Sequence, residues 1–317
     1  MSSFRHLFGP VPSRRLGLSL GVDLTPHKTC SLDCVFCQLG PTTEKTTRRT
    51  GLVPTEEVVS EIEQWQMEDG VADYITLSGS GEPTLNPGFG GVLEAIADTC
   101  DAPSALLSNG TLFWMPEVRR AAARARVVKL SLGAWDQQSF ERLNRPHPDL
   151  LFDSVLEGQA AFRREFSGTL WSEVFLVKGI NDLPEQVEKI AEALRSVRPD
   201  EIHLNTSVRP PAEDFAEPLG SGEMEALAGL FTPVARVMAE YSADRTDSIR
   251  ANEETLMAML RRRPCTPAQI ARAFGMHPNE VSKYLGKLVR TGRAETRSRN
   301  AQVYYLAIED STGETGR

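Results

Sequence analysis

Cys30, Cys34 and Cys37 fall within eight residues, three residues separating the first pair and two the second. Thiolates at this spacing on one tight loop suit a metal centre. Three of them can each bind a different iron of a [4Fe–4S] cubane and leave the fourth iron open. The competing reading is a zinc knuckle, which needs four ligands, often in CxxC pairs, and would take His27 as its fourth. Cys100 and Cys265 stand alone, supply no second cluster and read as inert thiols. The clustering, in a chain whose first residues MSSFRHLFGPVPSRR carry no secretory pattern, points to a reducing cytoplasm. No run of about 18 apolar residues is present, so no membrane span is expected.

Other reactive positions close β-rich runs. Gly79-Ser80-Gly81-Glu82-Pro83 follows Tyr74–Ser78. Glycines let a backbone approach a ligand closely, and an acid accepts from an ammonium group. The plainer alternative is a strand-to-helix turn with a capping acid. Ser108 and Asn109 close the next run, although Asn109-Gly110 is also a common turn pair. Ser131 closes another run, and Glu173 lies in the fifth major one. Arg145, His147 and Arg209 sit in NRPH and RPP contexts. They either neutralise an anion or anchor loops by hydrogen bonds.

These positions need a scaffold. Strand-like runs at Leu18–Leu24, Tyr74–Ser78, Ala105–Ser108, Val127–Leu132, Trp171–Val177 and Glu201–Asn205 alternate with helical segments. The helices are expected over Thr55–Met67, Phe89–Ala97, Pro116–Ala125, Ser139–Leu143, Ser154–Phe166 and Leu183–Val197. Such alternation implies βαβ units and a parallel sheet, here an α/β fold with a partial (β/α)6 TIM-like barrel. Chemistry on such folds gathers at the C-terminal ends of the strands, where the motifs fall.

The stretches PSRRLGLSLGVDLTPHKTCSLDCVFCQLG, SGSGEPTLNP, LLSNGTLF, VKLSLGAWDQQSFERLNRPH and NTSVRPPAED carry a further reading. Together they resemble the radical S-adenosylmethionine (SAM) superfamily, in the group of the wyosine-base-forming tRNA enzymes and their bacterial relatives. The resemblance covers about residues 8–215. It implies a [4Fe–4S] cluster on Cys30, Cys34 and Cys37, with SAM on the fourth iron. An electron from a separate donor would then release a 5′-deoxyadenosyl radical. It also implies that Phe36 packs near the adenine and that Gly79, Ser80, Gly81 and Glu82 hold the methionine amino group. Ser108, Asn109, Ser131 and Glu173 are expected elsewhere around SAM. One departure stands out: relatives commonly read SLDA where this chain has Ser131-Leu132-Gly133-Ala134. Gly133 removes a carboxylate from the cavity: either Asp136 compensates or the site handles a different substrate. The additional cluster cysteines associated with pyruvate-condensing wyosine enzymes are missing, so that reaction is not assigned.

The last quarter differs in character. Ser242–Ser248 reads as a linker dividing a barrel domain, residues 1–248, from a module of residues 249–309 and a polar tail of residues 310–317. Three short helices and an alternating hairpin resemble a winged helix-turn-helix. Thr266, Pro267 and Gln269 make a helix start. The next helix would bury Val281, Leu285, Leu288 and Val289. Residues 261–305 hold ten Lys and Arg against two Glu, a charge of +8, although the whole chain is at −8. A basic module on an acidic body concerns partners. RNA or DNA phosphates are the expected contacts, through Lys283, Lys287, Arg290, Arg297 and Arg299. The function expected is radical SAM chemistry, with RNA modification the favoured outcome. The alternative is an iron–sulfur or SAM-responsive DNA-binding regulator.

Overall fold

The computed structural model describes residues 4–13, 15–50, 53–207, 210–238, 253–274, 278–299 and 302–308. The expected linker, the polar tail and Arg209 lie outside them. The chain opens with β1 (Leu7–Ser13) and β2 (Gly17–Val22), an antiparallel hairpin. The short pair β3 (Thr29–Cys30) and β4 (Glu44–Lys45) brackets the cysteine loop. Then follow α1 (Thr55–Met67), β5 (Tyr74–Leu77), α2 (Phe89–Thr99), β6 (Ser104–Ser108), α3 (Pro116–Ala122) and β7 (Val127–Ser131). Next come α4 (Gln137–Asn144), α5 (Phe152–Glu165), β8 (Thr169–Leu176), α6 (Pro184–Val197) and β9 (Glu201–Thr206). The barrel part ends with α7 (Ser221–Ala228) and β10 (Arg236–Val237).

The main sheet runs β1-β2-β5-β6-β7-β8-β9-β10, parallel from β2 onward. All six expected strands are present. Period-two alternation explains its two faces. Val128 and Leu130 of β7, Leu170 and Val174 of β8, and Ile202 and Leu204 of β9 pack outward into the core beneath the helices. The opposite set turns inward. Leu16, Ala105, Val127 and Trp171 form an apolar floor, and Lys129, Glu173 and Asn205 follow along their strands.

Helix boundaries follow local chemistry. Pro54 precedes α1, whose first turn carries Glu56 and Glu57 beside the exposed N–H groups, and Val58, Ile62 and Trp65 face the core. Asp136 caps α4 by accepting from the Ser139 N–H at 2.7 Å, and Ser139 Oγ accepts in return from the Asp136 N–H at 3.0 Å. Strands β1, β3, β4 and β10 and helix α7 were not anticipated. Strand β1 contains Pro10 and Pro12, which the rules for strands discourage, but it lies at the sheet edge where a missing N–H is tolerated. Helix α7 starts at Ser221 with Gly222 beside it, a sequence poor in helix signals.

The C-terminal part has α8 (Glu253–Arg262), α9 (Pro267–Phe274), α10 (Pro278–Arg290) and the antiparallel pair β11 (Ala294–Arg299) and β12 (Gln302–Ala307). Its core comprises Leu256, Leu260, Ile270, Val281, Leu285 and Leu288. Val289 departs from expectation: it is exposed. The module docks on the first hairpin, where Val11 of β1 packs against its core. Arg262 lies over the Phe8 ring, 4.3 Å from its centroid, and donates to Asp23 and Ser80.

Candidate functional site

The cysteine loop leaves the C-terminal end of β2 and is stitched down at both flanks. On one side the Lys28 N–H donates to Ser80 O at 2.7 Å and the Glu82 N–H to Thr29 O at 3.1 Å. On the other, the N–H groups of Asp33 and Val35 donate to Asn144 O and Leu143 O at 3.0 and 3.1 Å, and the His147 N–H donates to Ser31 O at 2.9 Å. Arg145 pairs with Glu213 at 2.5 Å and reaches Asp33 at 3.8 Å. The NRPH stretch is therefore a loop anchor.

All three cysteines are partly buried. Burial, then the Glu82 charge, pushes the Cys30 thiol up to about 12. Burial raises Cys34 further, against a hydrogen bond from Asn144 that lowers it. Such thiols release their protons when a cation replaces them. Each sulfur meets one N–H donor: Asn109 Nδ2 at 3.5 Å from Cys30, Asn144 Nδ2 at 3.2 Å from Cys34, and Lys28 Nζ at 3.3 Å from Cys37. Among the described residues no three His, Cys, Asp or Glu side chains converge as a single-ion site requires. His27 is exposed. Three thiols with separate donors fit a cluster whose sulfurs bind different irons.

The glycine turn abuts this loop. A Cβ on Gly81 would stand 1.9 Å from Thr29 O, so only glycine permits the approach. Asp23 accepts from the Ser80 N–H at 3.1 Å and from Ser80 Oγ at 2.6 Å. Glu82 faces inward, 2% exposed. Its carboxylate accepts from the Thr84 N–H at 3.0 Å, Thr84 Oγ1 at 2.6 Å, Ser108 Oγ at 2.7 Å and the Asn109 N–H at 2.7 Å. In this structure Glu82 locks the turn to the end of β6.

A partly open cavity lies beside the cysteine loop. Phe36, Asn109, Ser131 and Glu173 line it together, with Gly133 and Phe175. Phe36 stacks on Phe175, centroids 3.9 Å apart and planes 9° apart. Gly79, Ser80, Gly81, Glu82 and Ser108 are not part of this lining; they connect to it through the bond from Glu82 to Asn109.

Glu173 reaches the cavity with partners of its own. It is held by Arg15 and by Lys129, whose Nζ is 3.0 Å from Oε2. Asn205 Nδ2 donates to it at 3.3 Å, and Lys129 also reaches Ser131 Oγ at 3.1 Å. Burial alone would raise this carboxyl; the charges of Arg15 and Lys129 outweigh it and hold Glu173 far below the usual carboxylate range. Arg15 and Lys129 escaped sequence reasoning, yet a lysine inside the apolar run VVKLS was a signal for an inward-facing partner.

The structure also accounts for Gly133. A Cβ there would stand 3.0 Å from Leu143 Cδ2 and 3.2 Å from Phe175 O. Asp136 offers no replacement acid to the cavity, because it caps α4. Substituting Gly133→Asp is expected to destabilise the fold by about 1–3 kcal/mol through overpacking, read from the urea midpoint.

In the C-terminal part Lys283, Lys287, Arg290 and Arg297 are exposed. Lys287 pairs with Glu253 at 2.5 Å, and Arg297 with Glu295 at 3.2 Å. Arg299 corrects the expectation. It is half-buried and donates to Ala216 O at 3.1 Å, so it ties the module to the barrel instead of facing a phosphate.

Residues 24–214 match the model of the Radical SAM superfamily. A Methanocaldococcus jannaschii protein, UPF0026 protein MJ1312, is 30% identical over 94% of this chain and 95% of its own length. A Brachyspira hyodysenteriae protein named GTPase Obg is 33% identical over 95% of this chain, which spans only 45% of that relative. A radical SAM methyltransferase structure from Sphaerobacter thermophilus superimposes with a TM-score of 0.52 at 18% identity. That alignment covers 69% of this chain and 66% of the other, and it speaks for the fold alone.

Proposed function

The chain belongs to the radical SAM superfamily and groups there with the UPF0026 proteins, and from this premise we propose that Cys30, Cys34 and Cys37 hold its cluster for an RNA-modifying reaction. The cofactors of the superfamily are a [4Fe–4S] cluster and SAM; when bound, they supply a one-electron cleavage of SAM to methionine and a 5′-deoxyadenosyl radical. The observation that carries the site assignment is the loop itself: three partly buried thiols, each met by its own N–H donor, beside a cavity floored by protein. In this reading Phe36 and Phe175 form an apolar wall for the adenine. Asn109 and Ser131 offer polar contacts at the strand ends. The apolar part of the lining limits water around the reactive carbon.

The test is anaerobic reconstitution of the full chain with iron and sulfide, followed by dithionite and SAM. 5′-Deoxyadenosine and methionine are expected in equal amounts. Their absence under every reductant tried would remove the reading.

RNA as substrate is supported by the resemblance of the five motif stretches to tRNA-modifying enzymes and by the +8 charge of residues 261–305. We read α9, α10 and the β11–β12 hairpin as a winged helix-turn-helix, with α10 and the hairpin facing phosphate. The full chain should bind tRNA with an affinity that falls steeply with salt. Lys283→Ala and Arg290→Ala should each lower the log–log salt slope by about 1, whereas Arg299→Ala should not act through phosphate. Gel shifts with tRNA and duplex DNA across a salt series check this. Preference for duplex DNA would replace RNA as the partner.

A further inference from the structure

The three donors that meet the cysteine sulfurs come from three separate elements. Asn109 follows the end of β6, Asn144 is the last residue of α4, and Lys28 precedes β3. Each meets a different sulfur. The Asn109 amide is also fixed in orientation, because its Oδ1 accepts from the Thr111 N–H at 3.0 Å and from Thr111 Oγ1 at 2.8 Å. Its Nδ2 must therefore point toward Cys30 and Ser31, the latter at 2.9 Å.

Lys28 is the unusual member. Its backbone takes φ of 60°, a left-handed conformation that non-glycine residues rarely adopt. It is only 4% exposed, although lysine is almost never fully buried without a partner. The ammonium donates to Cys37 Sγ and to Gly40 O, a sulfur and a carbonyl, instead of to a carboxylate. The buried charge makes sense if an anionic group sits among the cysteines.

A cubane on three thiolates becomes one unit more negative when it accepts an electron. Hydrogen bonds and positive charge at the sulfurs favour that more negative state and so raise the reduction potential. A charged donor acts more strongly than a neutral amide at similar distance. We propose that Lys28, Asn109 and Asn144 form a potential-setting shell around the cluster, with Lys28 the dominant member. The inference rests on the radical SAM reading of the three cysteines. The electron itself comes from an external one-electron donor. The shell breaks no bond: it sets how readily that electron enters.

The experiment is a dithionite-poised redox titration of the reconstituted full chain, followed by electron paramagnetic resonance, with iron and sulfide counted per chain. The variants are Lys28→Met, Lys28→Arg and Asn144→Val. Lys28→Met should keep its iron. At fixed solution potential its ratio of reduced to oxidised cluster should fall at least tenfold, about 59 mV for one electron. Lys28→Arg keeps the charge and should stay within about threefold of the parent. Asn144→Val should shift the ratio in the same direction as Lys28→Met but by less. A Lys28→Met cluster with the parent's potential, or a higher one, overturns the proposal. If Lys28→Met fails to hold iron, an unshifted Asn144→Val overturns it and a downward shift supports it. If the unsubstituted chain takes up no [4Fe–4S] cluster, the cysteine assignment fails first and the shell falls with it. A loaded parent whose variants do not shift isolates the failure to the shell.

Discussion

Cys34→Ala is expected to leave the barrel folded, to abolish iron uptake, and to reduce 5′-deoxyadenosine formation to the uncatalysed background. The reason is the division of labour at the site. The protein supplies positions, and the cofactor supplies the difficult electron chemistry, so nothing in the remaining side chains compensates for a missing ligand. The loop should survive the change. Its backbone is held at Ser31, Asp33 and Val35 by bonds to His147 and α4 that do not pass through a sulfur. Circular dichroism and the urea midpoint test the fold; iron analysis and product chromatography test the function. Cys100→Ala provides the contrast: a half-buried thiol beside Thr99, it should leave iron content and product unchanged. A Cys34→Ala chain that retained iron and full activity would disprove the site.

Glu173→Gln should destabilise the barrel by about 3–5 kcal/mol, because it leaves the two cations of Arg15 and Lys129 inside without a counter-charge. All three side chains are mostly buried, so water does not screen them away. Removing a cation at the same time should recover part of the loss. In Glu173→Gln/Lys129→Met the two effects are expected to be non-additive by about 1–3 kcal/mol, measured as a double-mutant cycle in urea. The same cluster sets a pH dependence. Glu173 is held below its ordinary value of 4.5, so its stabilisation is complete above that value and fades as pH falls further. The Glu173→Gln chain should lack this acid-side loss, and the two denaturation curves should approach each other at low pH.

Much of the barrel was legible because its signals are local. The run VVKLS and Pro54 before α1 each determine a strand or helix boundary within a few residues. The cysteine loop was legible for the same reason, since three ligands share one short segment. The partners of these groups were not, because they arrive from far along the chain. Arg15 meets Glu173 across 158 residues, and Asn144 meets Cys34 across 110. No local pattern announces such pairs. The positions of Gly133 and Asp136 show the same limit. Sequence placed both near the cavity, but only the packing of Leu143, Phe175 and the α4 N-terminus explains why one has no side chain and the other turns away. Arg299 looked like any other arginine of a basic hairpin until its contact with Ala216 was visible.

The docking of α8 on the first hairpin has a consequence for the order in which the molecule assembles. Arg262 and Asp23 lie 239 residues apart, so their contact closes a very long loop. Contacts of such separation give nothing until the intervening chain is ordered, and they seldom belong to the folding transition state. On the ribosome, β1 and β2 emerge long before α8 and must wait for the intervening chain before Phe8 and Val11 are covered. The hairpin is thus an early-made, late-protected edge. An interface made after the rate-limiting step changes how slowly the protein opens, not how quickly it forms. Arg262→Ala would therefore register in the unfolding limb of a chevron and leave the refolding limb nearly in place.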